Sequence, residues 1–492
     1  MIKRFLNKIK SDDIGSTLKH SRNYFGGNLA IKALSVISIP IFTRMLTLNE
    51  YGIVNLYGSA ASILSVLMTF NLFTSVGRYY YEDKKDIGGF ISSIVIAFFP
   101  LFVINAIIAY IFRDNLSSWL GIPVGLFFPL MVFILLTLID SINRQILEAE
   151  RKSQLLVALD FSKAFLAVSC SIALVFVFVQ ARYLGLIWGQ IIGGIIVSTY
   201  CLKLLKKYVS FEFKFEYLKY ALYLGLPLIP YTLSGVILAQ ADRIIINNVQ
   251  GAASAGIYSL GSNIGMILQS FILSVNSALI PDFFHFLNIG ENVRLDRLVK
   301  KAFILIVVFA FLLMIFSPEI VMVLAGRKYC AGIPIIPWIV MGNIFFAMFT
   351  IYARYIGYSK QMIYGSVISI ACGLISIVLN IFFIPLYGYM AAAYTSTLSY
   401  LIMFLLTWFV VKHVLKMHVT PLKYLTYTFS IFFLFAGLYY IFIGIKLSML
   451  LYFVCKILLF LLFLCFISFP YFSPQKYLAV LRGFIRKAGS SV

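Results

Sequence analysis

The chain has 492 residues, of which 62% are hydrophobic and only 12% are charged, whereas a soluble domain averages about 25% charged residues. This composition excludes an ordinary soluble domain and predicts a surface that faces lipid. The net charge of +22 does not indicate a nucleic-acid partner, because the basic residues are spread along the chain rather than gathered on one face, and attraction to anionic membrane lipid explains them better.

About fourteen apolar stretches of roughly 20 residues run through the chain, and each is long enough for a helix that crosses a bilayer about 30 Å thick. A helix satisfies its own backbone hydrogen bonds in lipid, and continuous apolar runs lack the two-residue alternation of a transmembrane β-barrel. We therefore expect an all-α membrane protein. The stretches are 24–43, 53–76, 89–112, 122–143, 157–180, 184–204, 220–241, 254–279, 302–325, 333–354, 362–384, 388–411, 424–445 and 449–470.

Lys and Arg are concentrated in every second loop. Of the 40 basic residues, thirty lie in the set of loops that includes both termini, seven in the opposite loops and three within the stretches. An excess of Lys and Arg marks the cytoplasmic side of a membrane, so we expect both termini in the cytoplasm, in agreement with an even number of helices. The basic N-terminus lacks an apolar core and is not expected to be a signal peptide.

An internal repeat relates the first and seventh stretches. Each passes an Ile-Pro pair, leads to an Arg (Arg44 and Arg243), and is followed by a Gly that begins the next stretch (Gly52 and Gly256). Two repeats that flank a site at the membrane midplane are typical of secondary transporters, although short similarities also arise by chance in apolar sequence. We predict two six-helix bundles followed by two extra helices and a cytoplasmic tail. Their ranges are 1–205, 206–415 and 416–492.

Motifs for catalysis or ATP hydrolysis are absent from the sequence. No GxxxxGK[ST] run occurs, and no Ser/His/Asp, Cys/His or paired-carboxylate arrangement is evident within the stretches. The six cysteines show no CxxC spacing, so we infer neither a metal site nor a disulfide. The sequence thus predicts a transporter without a cofactor, which draws on a proton or sodium gradient, a substrate gradient or a separate protein.

Two parts of the chain resemble bacterial polysaccharide flippases, which move undecaprenyl-diphosphate-linked oligosaccharides across the inner membrane. They are residues 39–52, and residues 225–230 with 241–246 and 255–259. The resemblance implies the fold of the superfamily that holds the MATE multidrug extruders and the lipid II flippases, with a central cavity lined by the first, second, seventh and eighth helices. It also implies O-antigen, capsule or exopolysaccharide synthesis in the bacterial inner membrane, beside a polymerase and a chain-length regulator.

A cation in the first stretch is the leading candidate for contacting the diphosphate of such a substrate. Lys32 lies about a third of the way along, and Asn28, Lys32 and Ser35 share one helical face. A charge at the bilayer centre costs at least about 2.5–3.5 kcal/mol, and fixed cations in a wet cleft would offset most of that cost. The alternative is a Lys that reaches the cytoplasmic interface or is paired with a carboxylate.

The eighth stretch carries polar residues on one face. This face either packs against another helix, with small residues at the contact, or lines the cavity. We favour the cavity, because hydroxyls and amides are the groups that sugar hydroxyls require. The residues are Ser259, Asn263, Ser270, Ser274 and Ser277.

The pair Asp242-Arg243 is expected at the outer end of the seventh stretch. Asp242 is a candidate for binding a coupling ion or for pairing across an outer gate. Arg243 is a candidate for contacting the sugar diphosphate, and Arg44 is its equivalent in the first half. A solvated loop pair is the alternative interpretation.

Two pairs of charged residues have the spacing of neighbours on one helix. Asp140 and Arg144 lie four residues apart in the fourth stretch, and Asp160 and Lys163 lie three apart in the fifth. We expect each pair to form along its own helix, the two pairs to brace one another, and all four residues to have mainly a structural role, with Asp140 also a candidate for ion coupling or gating.

Two further cations lie at or within stretches. Arg78 is expected at the inner end of the second stretch, where it either gates the cytoplasmic mouth of the cavity or orients the helix. Lys456, in the last stretch, is expected to extend its amine to the membrane interface.

Two other functions compete with a flippase. A drug or cation antiporter of the same fold would need carboxylates within the membrane, and apart from Asp140 and Asp160 the stretches contain almost none. A polysaccharide polymerase would need a sizeable external loop with catalytic groups, and the outer loops are short.

Overall fold

The protein is almost wholly helical in the part of the chain that the structure describes. The computed structural model describes residues 26–27, 30–82, 86–209, 212–443 and 449–468, and no β-strand is found in these ranges. The predicted all-α fold class is therefore confirmed. The helices are α1 30–45, α2 Leu48–Thr69, α3 Thr74–Glu82, α4 Ile87–Ile111, α5 Arg113–Leu120, α6 Phe127–Ala149, α7 Ser153–Val177, α8 Arg182–Leu205, α9 Phe215–Gly225, α10 Ile229–Gln250, α11 Ala252–Asn288, α12 Asn292–Ile315, α13 Ser317–Leu324, α14 Ile336–Tyr358, α15 Met362–Tyr387, α16 Tyr389–Phe409, α17 Leu422–Ile443 and α18 Met449–Ser468.

Each predicted stretch overlaps at least one helix in these ranges. Eleven helical segments of the described chain are long and apolar enough to cross a membrane, and two shorter apolar segments lie at Leu425–Ile441 and Leu451–Ile467. Such segments suit a bilayer because a helix leaves few backbone groups without a hydrogen-bond partner. The protein is a multi-pass membrane protein.

The second predicted stretch is two helices rather than one. α2 ends at Thr69 because Phe70 and Asn71 adopt left-handed φ angles of 49° and 51°, and α3 follows. Arg78 therefore lies on a separate short helix, and its predicted place at the end of a span was wrong. On that helix its Nε lies 2.7 Å from Glu82 Oε1.

The seventh predicted stretch continues beyond its expected end. α9 and α10 are joined by a 3-10 turn at Leu226–Leu228, where Pro227 and Pro230 lack the N–H groups that a continuous α-helix would use. α10 then extends to Gln250. Asp242 was predicted at the end of this stretch but lies about two turns inside α10, because its side chain finds buried hydrogen-bond partners there.

Polar contacts tie the start of α9 to the residues before α4. Lys214 Nζ lies 2.7 Å from Asp86 Oδ2, and the Tyr217 hydroxyl donates to the same carboxylate oxygen. The hydrogen bonds from Lys214 and Tyr217 hold the pKa of Asp86 below its usual range.

We expect the contribution of Asp86 to stability to depend on pH. Because its pKa is lower in the folded than in the unfolded protein, its contribution is complete above the unfolded value of about 3.9 and is lost as the pH falls through the lower folded value. The unfolding temperatures of the wild type and of Asp86→Asn should therefore differ slightly at pH 7, since the pair is exposed, and the difference should shrink as the pH falls below the unfolded pKa of about 3.9. A difference in unfolding temperature between the two proteins that grows as the pH falls would contradict this expectation.

The chain groups into two compact units. The first extends to Asn263 and adds Val321–Ile335 and Ile363–Ser399. The second comprises Ile264–Ile320, Ile336–Met362 and the residues from Tyr400 onward. The predicted division into two six-helix bundles stays a prediction.

A buried ion pair lies in the second unit. Lys456 Nζ lies 2.8 and 2.9 Å from the two carboxylate oxygens of Glu319 and 4.5 Å from the ring centroid of Tyr452. The Lys456 side chain is 0% exposed, so the prediction that its amine extends to the interface was wrong. The carboxylate of Glu319 on α13 pairs with the amine inside the protein instead.

We expect Lys456→Met to destabilise the protein, because it leaves Glu319 without its cation. Removing one partner of a buried pair costs roughly 3–5 kcal/mol, and the partial exposure of Glu319 places this pair near the lower value. The double variant Lys456→Met/Glu319→Gln should recover most of the loss in thermal unfolding. A double variant as unstable as the sum of the two single variants would contradict this.

Candidate functional site

A buried carboxylate in α10 is the centre of a polar network in the first unit. Asp242 is 4% exposed. It accepts hydrogen bonds from the Tyr258 hydroxyl at 2.5 Å, Asn380 Nδ2 at 2.6 Å and Ser396 Oγ at 2.7 Å, and Thr395 Oγ1 donates to Asn380 Oδ1. The partners come from α11, α15 and α16, so four helices meet at this site.

The hydrogen bonds to Asp242 come from neutral groups in the described part of the chain. A buried carboxylate without a hydrogen-bonded cation is costly in a low-dielectric interior. Hydroxyl and amide oxygens of Tyr258, Asn380, Thr395 and Ser396 lie in the same cluster, and hard cations prefer oxygen ligands. The cluster therefore has the chemistry to take up a proton or a small hard cation.

The neighbouring Arg243 forms hydrogen bonds with a different set of residues. It is 3% exposed, and its Nε and Nη2 donate to Ser259 Oγ at 3.2 Å and Ser262 Oγ at 3.1 Å. Its Nη1 donates to Gln240 Oε1 and to the Ala239 carbonyl oxygen. In this conformation the guanidinium binds protein groups, and its predicted contact with a diphosphate stays a prediction.

Helix α2 presents a polar face to α10 and α11, and sequence reasoning missed it. Asn263 Nδ2 lies 3.1 Å from the Tyr51 hydroxyl oxygen and 3.4 Å from Asn55 Oδ1, and Ser59 Oγ donates to Gln240 Oε1 at 3.0 Å. We call Tyr51, Asn55 and Ser59 the α2 polar face. Their four-residue spacing is the signal that could have identified it.

The first turns of α2 and α11 touch through their backbones. A Cβ atom on Gly52 would overlap the Ala252 carbonyl oxygen, and one on Gly256 would lie 2.5 Å from the Leu48 carbonyl oxygen and 3.0 Å from the Gly52 nitrogen. Only glycine permits this approach. These are the two glycines that the predicted repeat places in equivalent positions.

Basic side chains hold the end of α1 and the turn that follows. Arg44 Nη2 donates to the Val323 carbonyl oxygen at 3.2 Å, and Lys328 Nζ donates to the Leu46 carbonyl oxygen at 2.5 Å. Cations are favourable beside the carboxyl end of a helix. Arg44 is largely exposed, and its predicted role in substrate binding stays a prediction.

The remaining candidates on α1 are at the surface of the first unit. Lys32 and Ser35 are exposed, and Ser35 Oγ donates to the Ile31 carbonyl oxygen at 3.0 Å. No ion-pair partner of Lys32 is found among the described residues. Asn28 lies outside the described residues, so the predicted three-residue face is seen only in part.

The predicted polar face of the eighth stretch is divided. Ser259 and Asn263 pack against other helices, as in the alternative interpretation, because Arg243 and the α2 polar face occupy their polar atoms. Ser270 is half-buried, whereas Ser274 and Ser277 are exposed and donate to carbonyl oxygens of their own helix. The packing interpretation thus holds for Ser259 and Asn263, and the lining of a cavity by Ser270, Ser274 and Ser277 stays a prediction.

The charged residues of α6 and α7 pair between the helices. Lys163 Nζ donates to Asp140 Oδ2, and Arg144 Nη2 donates to Asp160 Oδ2. Ser198 on α8 adds a hydrogen bond to Asp140 at 3.0 Å. The predicted pairs within each helix were wrong, because each charged residue lies closer to an oppositely charged residue on the facing helix. The bracing of one pair by the other was as expected.

These features define a multi-pass helical membrane protein with a buried ionisable site where several helices meet. Residues 18–287, more than half of the chain, match the family model described as polysaccharide biosynthesis protein. The chain belongs to this family, and the resemblance seen in its sequence is confirmed.

Some known proteins are similar to this chain in sequence, and others are similar to it in fold. Lsg locus putative protein 1 of Haemophilus influenzae is 22% identical over 318 residues, which cover 63% of this chain and 77% of that protein. The lipid II flippase MurJ in an inward closed conformation has a TM-score of 0.71 at 16% identity, over 91% of this chain and 99% of that one. An inward-facing MATE multidrug resistance transporter has a TM-score of 0.61 at 14% identity, over 81% and 96%. The predicted MATE-like fold is confirmed.

Proposed function

We propose that the protein is a flippase that moves a polyprenyl-diphosphate-linked oligosaccharide across the bacterial inner membrane, with both termini in the cytoplasm. The product serves O-antigen, capsule or exopolysaccharide synthesis, in which a polymerase and a chain-length regulator act next. Membership of the polysaccharide biosynthesis family and a fold shared with a lipid II flippase support a lipid-linked substrate.

The buried Asp242 cluster is the observation that carries the mechanism. Transport against a gradient needs an energy source, and no GxxxxGK[ST] motif occurs in the sequence. A proton or sodium ion bound at Asp242 changes the charge that Tyr258, Asn380 and Ser396 face. Because these partners lie on three helices, occupancy of the site alters how α10 packs against all of them.

The head group of the substrate is anionic, and we assign its first contact to the exposed Lys32 of α1. A cation there offsets the cost of bringing a diphosphate into the membrane. The sugar follows through a wet cleft between the predicted halves, and the polyprenyl tail stays in lipid. Arg44 and Arg78 are further candidates for contact along this route.

A multidrug or cation antiporter is the rival of the same fold. Such a protein needs carboxylates that are free to bind a cationic substrate. Asp140 and Asp160 are engaged by Lys163 and Arg144, and we assign the buried Asp242 to the coupling ion rather than to a substrate. These contacts favour the anionic substrate.

Deletion of the gene tests the proposal in cells. We expect surface polysaccharide to be lost and the lipid-linked repeat unit to accumulate, unpolymerised, in the inner membrane. Re-expression of the wild type should restore export. Normal export in the deletion strain, or loss of synthesis of the repeat unit itself, would contradict the proposal.

A further inference from the structure

A cavity lies between the short helix α5 and the C-terminal end of α10, in the first unit. Its volume is about 500 Å³, and small-molecule sites occupy about 300–1,000 Å³. We call it the outer pocket, because the predicted orientation of the helices places it on the side opposite the cytoplasm. It is lined by Asn115, Ser118, Trp119 and Asn248.

Hydrogen bonds between α5 and α10 fix the shape of the outer pocket. Asn248 Nδ2 donates to the Trp119 carbonyl oxygen at 3.0 Å, and Asn247 Nδ2 donates to the Gly121 carbonyl oxygen at 3.4 Å. Gly121 ends α5 with a φ of 69°, which glycine adopts without strain, and a Cβ atom there would overlap Asn247 Nδ2. The pocket is therefore formed without a ligand, and such a site loses less entropy on binding.

The lining of the pocket leaves polar groups free. The side chains of Asn115 and Ser118 are exposed and form no hydrogen bond with the described part of the chain. Both side chains can donate and accept hydrogen bonds. Trp119 is 59% exposed, so much of its indole ring is also uncovered. The pocket thus combines polar groups that have no protein partner with an apolar ring.

This combination indicates the chemical class of the ligand. All four lining residues are neutral, so they offer no cation to a phosphate and no carboxylate to a cation. An acyl chain would leave the amides and the hydroxyl without partners, which is costly. A sugar suits both parts of the lining, because its hydroxyls donate and accept hydrogen bonds and its C–H face packs against an aromatic ring.

An anchor at the membrane surface is the other interpretation of Trp119, since Trp and Tyr are common where a helix meets that surface. An anchor needs only the indole ring. It does not require a preformed cavity of amides beside the ring, and it predicts that added sugar has no effect on the pocket.

We propose that the outer pocket binds a sugar residue of the oligosaccharide after the head group has crossed the membrane. Its lining residues belong neither to the Asp242 cluster nor to the α2 polar face, so the pocket acts on delivery of the substrate rather than on its passage. It holds the sugar beside the membrane until the polymerase takes it up. This inference rests on the proposed flippase function and orientation, and it adds a separate binding site.

Protection of an introduced cysteine tests the inference. The Ser118→Cys variant, in spheroplasts of a strain blocked in the first sugar transfer to the lipid, is labelled from outside with a membrane-impermeant maleimide. The probe is the free repeat-unit oligosaccharide, released from the surface polysaccharide of the host. We expect ready labelling without the oligosaccharide, and labelling at least about threefold slower with it, because a bound sugar covers the thiol.

Control variants locate the protection. Gly125→Cys should label equally with and without the oligosaccharide, because Gly125 follows α5 without lining the pocket and an added Cβ there meets nothing within 4 Å. Adding Trp119→Ala to the Ser118→Cys variant should remove the protection while labelling continues. Trp119→Phe should keep part of it, because a phenyl ring still packs against a sugar. Asn115→Cys is a second reporter, in which the Ser118 hydroxyl is intact.

The outcomes separate a sugar site from a membrane anchor. Equal labelling of both reporters with and without the oligosaccharide would overturn the inference, and so would protection that Trp119→Ala leaves unchanged or an absence of labelling from outside. The added sugar reaches the pocket without being transported, so these results do not depend on translocation. If export continues in the deletion strain, the flippase proposal fails, whatever the protection shows.

Discussion

Replacing Asp242 with Asn is expected to reduce ion-driven translocation at least tenfold while leaving the fold intact. The amide keeps the size of the carboxylate and most of its hydrogen-bonding positions, so Tyr258, Asn380 and Ser396 can retain their packing. It removes the charge that attracts a proton or a cation. The measurement is the rate of translocation in vesicles under an imposed proton or sodium gradient.

Asp160→Asn is the matched control. Asp160 is also a carboxylate within the helices, but it pairs with Arg144 and has no part in the Asp242 cluster. We expect its effect to be mainly on stability, with the dependence on the gradient preserved. An Asp242→Asn protein that still responds to the gradient as the wild type does would show that the coupling ion binds elsewhere.

Adding a single methyl group at Gly52 or Gly256 is expected to have a comparably large effect. Each new Cβ would press on a backbone atom of the facing helix, and backbone cannot move aside as a flexible side chain can. Overpacking of this kind costs roughly 1–3 kcal/mol. Gly52→Ala and Gly256→Ala should each lower the unfolding temperature and reduce polysaccharide export several-fold.

Gly58→Ala separates this steric effect from the general effect of replacing glycine in a helix. Its Cβ would meet nothing within 4 Å, and alanine is the better helix former by about 0.5–1 kcal/mol. We expect unchanged export and equal or higher stability. Equal behaviour of Gly52→Ala and Gly58→Ala would mean that the first turns of α2 and α11 do not need to touch.

The order and approximate positions of the apolar helices could be predicted because membrane thickness imposes a length on every apolar stretch. Their ends were less predictable. α2 ends where Phe70 and Asn71 take left-handed angles, although neither is glycine. α10 passes through Asp242 and Arg243, a charged pair that usually indicates the end of an apolar stretch, because buried partners satisfy both.

Partners far apart in the chain could not be predicted. Asp242 was recognised as a candidate from its position, but Asn380 lies 138 residues later and has no local signal that connects it. Lys456 was expected to reach the interface, since nothing near it in sequence resembles Glu319, 137 residues away. Such contacts depend on how the helices pack against one another, and the local spacing of residues in the sequence does not reveal that packing.

The α2 polar face differs from these cases because the spacing of its residues can be read directly from the sequence. Tyr51, Asn55 and Ser59 recur every four residues, and this pattern indicates one face of a helix. The candidate site residues were instead the cations and the serines, because charge and hydroxyls were expected of a cavity. A neutral face that includes a tyrosine was the less obvious signal.

Translocation by the purified protein in vesicles is the most direct measurement. A polyprenyl-diphosphate-linked oligosaccharide is placed in one leaflet, and its arrival in the other is followed by access of a sugar-modifying enzyme. We predict transfer that requires the protein, accelerates under a proton or sodium gradient and loses this acceleration in Asp242→Asn. Transfer at the rate of protein-free vesicles would contradict the account.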